Sequence, residues 1–161
     1  VIVSCRELMP VVRAALDSGS RVRLTATGGS MFPFVRNGEV VELEAVEHHD
    51  LQPGDVVLAA RPDDSYILHR IAAMAPHRVF IVSDAGQQDG WFAVDRVFAR
   101  ARAVERKGRW LRLDTARARR AGLLWVKCRI IGPPLLAFGV KLKGKVLRQR
   151  RTTPGHDARV A

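Results

Sequence analysis

In RVRLTATGGSMFPFVRNGEVVELEA, Arg21 to Ala45, apolar and polar residues alternate at both ends but not in the middle. Val22, Leu24 and Ala26 interleave with Arg21, Arg23 and Thr25, and after the turn signal Asn37-Gly38, Val41, Leu43 and Ala45 interleave with Glu42 and Glu44. A period of two puts every apolar side chain on one face of an extended chain, so both ends read as half-buried antiparallel strands. Between them, two glycines lead into Ser30, then Met31 and Pro33, which is turn chemistry rather than strand chemistry.

The same signals recur further along the chain. Strands are expected at Asp55 to Ala60 after Pro53-Gly54, Ser65 to Met74 after Pro62-Asp63-Asp64, Arg78 to Ser83, Phe92 to Arg106, and Arg109 to Asp114 after Lys107-Gly108. Short strands at this spacing predict a mainly β, compact domain. On the N-terminal side, Ser4-Cys5-Arg6-Glu7 fits a capping box, and Leu8, Val11, Val12, Ala15 and Leu16 mark one helical face that ends at Gly19, with Pro10 either kinking the helix or opening it. Beyond Thr115 the pattern becomes a basic, helix-like segment. The expected organisation is therefore an N-terminal helix (residues 1–19), a β domain (20–114) and a basic, partly helical C-terminal extension (115–161).

With 161 residues and 47% hydrophobic content, the chain can bury a core without disulfide or metal staples. Its two cysteines, Cys5 and Cys128, lie far apart and form no CxxC pair, so they read as ordinary buried thiols and no metal site is expected. The net charge of +11 is unevenly spread. Residues 1–99 hold 9 basic against 13 acidic side chains, a balance of −4, whereas residues 100–151 hold 17 against 2, a balance of +15. The N-terminal VIVSCRELMP lacks a signal peptide's basic and apolar regions, and the longest uncharged apolar run, Ile130 to Val140, is too short to span a bilayer and is broken by Pro133-Pro134. A cytoplasmic or peripheral membrane location is expected on these grounds.

Two residues offer nucleophilic chemistry. A serine on a glycine-rich turn can expose its hydroxyl and point backbone amides at a developing oxyanion, but it needs a base. In SYILHRIAAM, His69 sits within an apolar strand, and an imidazole is suited to general-base work near neutral pH. The bland readings are a turn serine and a histidine on a solvated strand face.

The ordered set Gly29-Ser30-Met31-Phe32-Pro33, Asn37-Gly38-Glu39-Val40-Val41, Leu51-Gln52-Pro53-Gly54-Asp55-Val56-Val57 and His69-Arg70-Ile71 resembles the motifs of type I signal peptidases, in the branch that uses a Ser/His pair. The larger clan includes self-cleaving repressors, and the match spans roughly residues 24 to 105. The resemblance implies a signal-peptidase or repressor type of β domain and a serine endopeptidase, with Ser30 as nucleophile, His69 as general base and no cofactor. It also implies small side chains just before the cut. No lysine occurs before Lys107 to offer a Ser/Lys alternative within the β domain. The family's acidic motif corresponds to Ser83-Asp84-Ala85-Gly86-Gln87-Gln88-Asp89, with its first glycine and asparagine replaced. Asp89 is the expected partner that orients His69, and Asp84 the expected structural support. Where many members carry a hydroxyl two residues before the nucleophile, this chain has Gly28, leaving Thr27 or a backbone amide to hold the oxyanion. Gly28, Gly29, Thr27, Met31 and Pro33 are the expected oxyanion and cleft residues.

His48-His49 is not read as a metal pair, since neighbours on an extended segment point to opposite sides. If Ala116 to Ile131 is helical, Arg117, Arg120 and Lys127 share one face and Leu124, Trp125, Cys128 and Ile131 another. Such a segment suits an anionic membrane surface contacted through residues 116–151, or else Leu123 to Ile131 packs back on the β domain. Nucleic acid is a less favoured partner, because the extension lacks interleaved aromatic residues for stacking. Two functions follow: a serine endopeptidase acting on an extended peptide or precursor, or a non-catalytic basic module binding nucleic acid or an anionic membrane.

Overall fold

The computed structural model describes residues 5–129. The Ser4 cap, Ile130–Val140, Ile131 of the basic segment and residues 130–161 of the extension lie outside them.

The chain folds as a mainly β protein, an eight-stranded antiparallel sheet with a helix at each end of the described region. Helix α1 (Cys5–Asp17) runs through Pro10 rather than starting at it. The strands are β1 (Val22–Thr25), β2 (Val40–Glu44), β3 (Val56–Ala60), β4 (Tyr66–Ala75), β5 (Arg78–Val82), β6 (Gln88–Ala93), β7 (Val97–Arg106) and β8 (Arg109–Arg112). Their order is β1-β2-β7-β3-β4-β5-β6, with β8 also pairing β7. The single strand expected from Phe92 to Arg106 is two, because a 3-10 turn at Val94–Arg96 interrupts it. The Val94 N–H, donating to the His77 carbonyl at 3.0 Å, makes the last β5–β6 contact before the turn.

Strand β3 divides the interior in two. Val56 and Leu58 face a cluster completed by Met9, Val12 and Leu16 of α1 with Met31, Val35, Val41 and Leu43, while Val57 and Ala59 face one formed with Ile67, Ile71, Val79 and Ile81. Burial on both faces explains why β3 reads VVLAA without polar alternation.

A second helix, α2, occupies residues 116–129. The Thr115 hydroxyl accepts the Ala118 N–H at 3.2 Å, which caps its first turn. This helix lies against the β domain: Arg119 reaches Asp55 at 3.1 Å, Trp125 Nε1 donates to the Asp84 carbonyl at 2.8 Å, and Val126 is buried. Two glycines permit the approach. A Cβ on Gly54 would meet the Arg119 backbone at 2.9 Å, and one on Gly122 would sit 2.2 Å from the Arg70 guanidinium. The residues the sequence grouped on one apolar face are divided: Trp125 meets the domain, as the alternative of packing back expected, whereas Leu124 and Cys128 do not. Leu124 is 63% exposed and Cys128 is exposed, so Cys128 is not a buried thiol, while Gly122 and Val126 point inward. Small size at Gly122, rather than apolar character at Leu124, decides which side of the helix meets the domain. Among the described residues no helix is long and apolar enough to cross a membrane.

Candidate functional site

The segment between β1 and β2 is held from several directions. The Ala26 N–H donates to the Glu39 carbonyl and the Gly38 N–H to the Ala26 carbonyl, each at 2.8 Å, so the loop is closed at its base. Asn37 Oδ1 accepts the Gly28 N–H at 2.9 Å, and Gly28 itself stands at φ +86°, a left-handed conformation that glycine adopts without Cβ strain. On the far side, Arg106 donates to the Pro33 and Phe34 carbonyls and to Glu39, at 2.5 Å from Nε to Oε1. That hydrogen bond holds the Glu39 carboxyl below the usual glutamate range.

Ser30 emerges from this loop half-buried, and its carbonyl is fastened by the Ala85 N–H at 2.8 Å. Its hydroxyl lies 2.9 Å from His69 Nε2. His69 stands in β4 opposite Val57 and is 6% exposed. The second ring nitrogen, Nδ1, lies 2.5 Å from Asp89 Oδ2, and the Asp89 side chain is 1% exposed. Asp89 owes this direction to an irregularity of the sheet. Ile81 pairs with Gly90 and Val82 with Gln88, so Asp89 is the extra residue of a β-bulge, a device that re-aims a side chain. Its other oxygen, Oδ1, accepts a hydrogen bond from Arg61 Nη2.

Because neighbouring strand residues face opposite ways, Arg70 turns from His69 into a separate buried site. It donates to both oxygens of Asp84 at 2.7 Å and to the Gly54 carbonyl at 2.7 Å, and its guanidinium lies 4.8 Å from the Phe34 ring centroid. Asp84 is completely buried. Burial pushes its carboxyl above the ordinary aspartate range, and the charge and hydrogen bonds of Arg70 oppose that shift. The two aspartates therefore have different surroundings: Asp89 touches His69, and Asp84 anchors Arg70 beneath the turn whose Ala85 holds Ser30.

A cavity of about 380 Å³ opens beside the serine and histidine. Thr27, Gly28 and Met31 line it with Ser30 and His69, and Leu24, Leu58, Tyr66 and Leu68 supply apolar walls. Gly29 and Pro33 are not in the lining. Pro33 instead presents its carbonyl to Arg106. Arg61 and Gln87, which sequence reasoning did not single out, also border the cavity. Arg61 carried only the weak signal of an arginine before a Pro-Asp-Asp turn.

His48 and His49 lie in an exposed 3-10 turn, and among the described residues no group of three or more His, Cys, Asp and Glu is arranged to hold a metal ion. Fold and site together define a β-sheet protein with a serine–histidine–aspartate hydrogen-bond chain at the rim of an apolar cavity. No family model, curated protein or solved structure matches this chain.

Proposed function

We propose that the protein is a serine endopeptidase with Ser30 as nucleophile, His69 as general base and Asp89 as the carboxylate that orients the base. The observation that carries this reading is the unbroken chain from Ser30 Oγ to His69 Nε2 at 2.9 Å and from His69 Nδ1 to Asp89 at 2.5 Å. In that arrangement Oγ forms a bond to the scissile carbonyl carbon as its proton passes to Nε2. Asp89, accepting from Nδ1–H, fixes the tautomer and stabilises the imidazolium, which then protonates the departing amine. A water molecule hydrolyses the acyl-serine by the same route in reverse. The Ser30 N–H, which donates to no other group among the described residues, is the backbone donor assigned to the oxyanion.

A peptide substrate suits the surroundings. Strand β1 ends the sheet order, leaving an edge on which an extended chain can pair, and Leu24, Thr25 and Ala26 connect that edge to the cavity. The motif order resembling type I signal peptidases of the Ser/His branch supports the same reading and suggests a leader or precursor peptide as substrate.

The test is covalent labelling with a fluorophosphonate probe together with a peptide-cleavage assay. Wild type should be labelled at Ser30, and Ser30→Ala should lose both labelling and cleavage while its stability changes by only about 0.5 kcal/mol. Cleavage retained by a folded Ser30→Ala variant would remove the assignment.

A further inference from the structure

Asp89 is shared, and the second claimant is not an incidental surface charge. One carboxylate oxygen faces His69 Nδ1 and the other accepts from Arg61, while the carboxylate itself is almost wholly shielded from water. Arg61 begins from a fixed point. Its N–H donates to the Ser65 carbonyl at 2.8 Å, and its carbonyl accepts from the Asp64 N–H at 3.1 Å and from Arg96 Nη1 at 3.2 Å. The turn between β3 and β4 thus presents the guanidinium at the rim of the cavity with its side chain one-third exposed.

We infer that Arg61 is a positioning residue for the base: by holding the second oxygen of Asp89 it aims the carboxylate at His69 Nδ1 and takes up part of its charge. The inference rests on the proposed roles of Ser30 and His69. A carboxylate facing a histidine alone stabilises the imidazolium with its full charge, which keeps the base protonated at higher pH. A guanidinium on the same carboxylate divides that charge and adds a repulsive one, so the base is free at lower pH. The other charged pair near His69, Asp84 with Arg70, is bidentate and neutral as a unit, and Ser30 is the remaining polar group against the ring. Around Arg61 itself stand Asp63 and Arg96, one of each sign. Arg61 is therefore the charged group that shares Asp89 with His69.

The experiment compares wild type with Arg61→Gln, which keeps a donor without the charge, and Arg61→Lys, which keeps the charge. Titration of the His69 ring by NMR and the pH dependence of kcat/KM are both measured. In Arg61→Gln the His69 midpoint and the acid limb of kcat/KM should both move up by about one pH unit, roughly tenfold in proton affinity, and in Arg61→Lys most of that shift should be absent. Loss of aim should lower kcat about tenfold with KM little changed. A purely structural role would lower stability and leave the midpoint in place, and an unmoved midpoint in folded Arg61→Gln overturns the inference. The NMR titration needs no turnover, so it judges Arg61 separately from the peptidase reading. Absence of Ser30 labelling in wild type would sink that reading, and with it the role of Arg61 as positioner of a catalytic base.

Discussion

Exchanging each of the two aspartates should produce opposite defects. Asp84 is completely buried and Arg70 nearly so, and two 2.7 Å hydrogen bonds join them. Asp84→Ala leaves a guanidinium in the interior with the Gly54 carbonyl and the Phe34 ring as its other partners, and removing one member of a buried pair costs about 3–5 kcal/mol. Asp84→Asn retains an acceptor but not the charge, and should cost about 2–3 kcal/mol. For a domain of this size each kcal/mol lowers Tm by about 2–4 °C, so Asp84→Ala should melt about 6–20 °C below wild type. Asp89→Asn should behave differently. Arg61, its unpaired partner, is one-third exposed and can turn to water, so the stability loss should stay near 1 kcal/mol. With the tautomer of His69 no longer enforced, however, turnover should fall by a hundredfold or more. Urea denaturation at constant m gives the stabilities, and peptide cleavage well below each Tm gives the rates. Because Ala85 holds the Ser30 carbonyl, Asp84→Asn should lose some rate too, but within about tenfold. The reasoning is refuted if Asp84→Asn is fully stable yet inactive, or if Asp89→Asn keeps wild-type turnover.

Two further outcomes are expected. Gly122→Ala should destabilise by about 2 kcal/mol even though alanine favours a helix by about 1 kcal/mol, because its Cβ would fall 2.2 Å from the Arg70 guanidinium; an unchanged Tm would show that α2 does not dock as described. Glu39, held below the usual glutamate range by Arg106, contributes stability that is present at neutral pH and lost as pH falls through its folded pKa. Glu39→Gln should therefore be less stable than wild type at pH 7, with the difference closing under acid conditions. A pH-independent gap in denaturation midpoints would count against the pair.

Some of this protein was legible in one dimension because the physical cause is local. Alternation in Arg21–Thr25 and Val41–Ala45, with Asn37-Gly38 between, is enough to call for paired strands, since a period of two either places apolar side chains on one face or does not. Ser30 after two glycines and His69 in an apolar run stood out because few other residue types serve as nucleophile and base. What the sequence could not decide was contact between distant residues. His69 lies 39 residues from Ser30 and 20 from Asp89, and whether Asp84 or Asp89 meets it turns on the β-bulge that places Asp89 out of register in β6. A shift of one residue exchanges the faces of a strand, so no local pattern reveals that outcome. The same holds for α2. The sequence groups Leu124, Trp125 and Cys128 on one face, yet only Trp125 meets the domain, because Gly54 and Gly122 allow the closest approach and a helix settles where backbones and the buried Arg70 leave room. Arg61, marked in the sequence only by its place before a Pro-Asp-Asp turn, gained its place at the site when the β3–β4 turn brought it to Asp89, a contact spanning 28 residues that the tertiary structure alone determines.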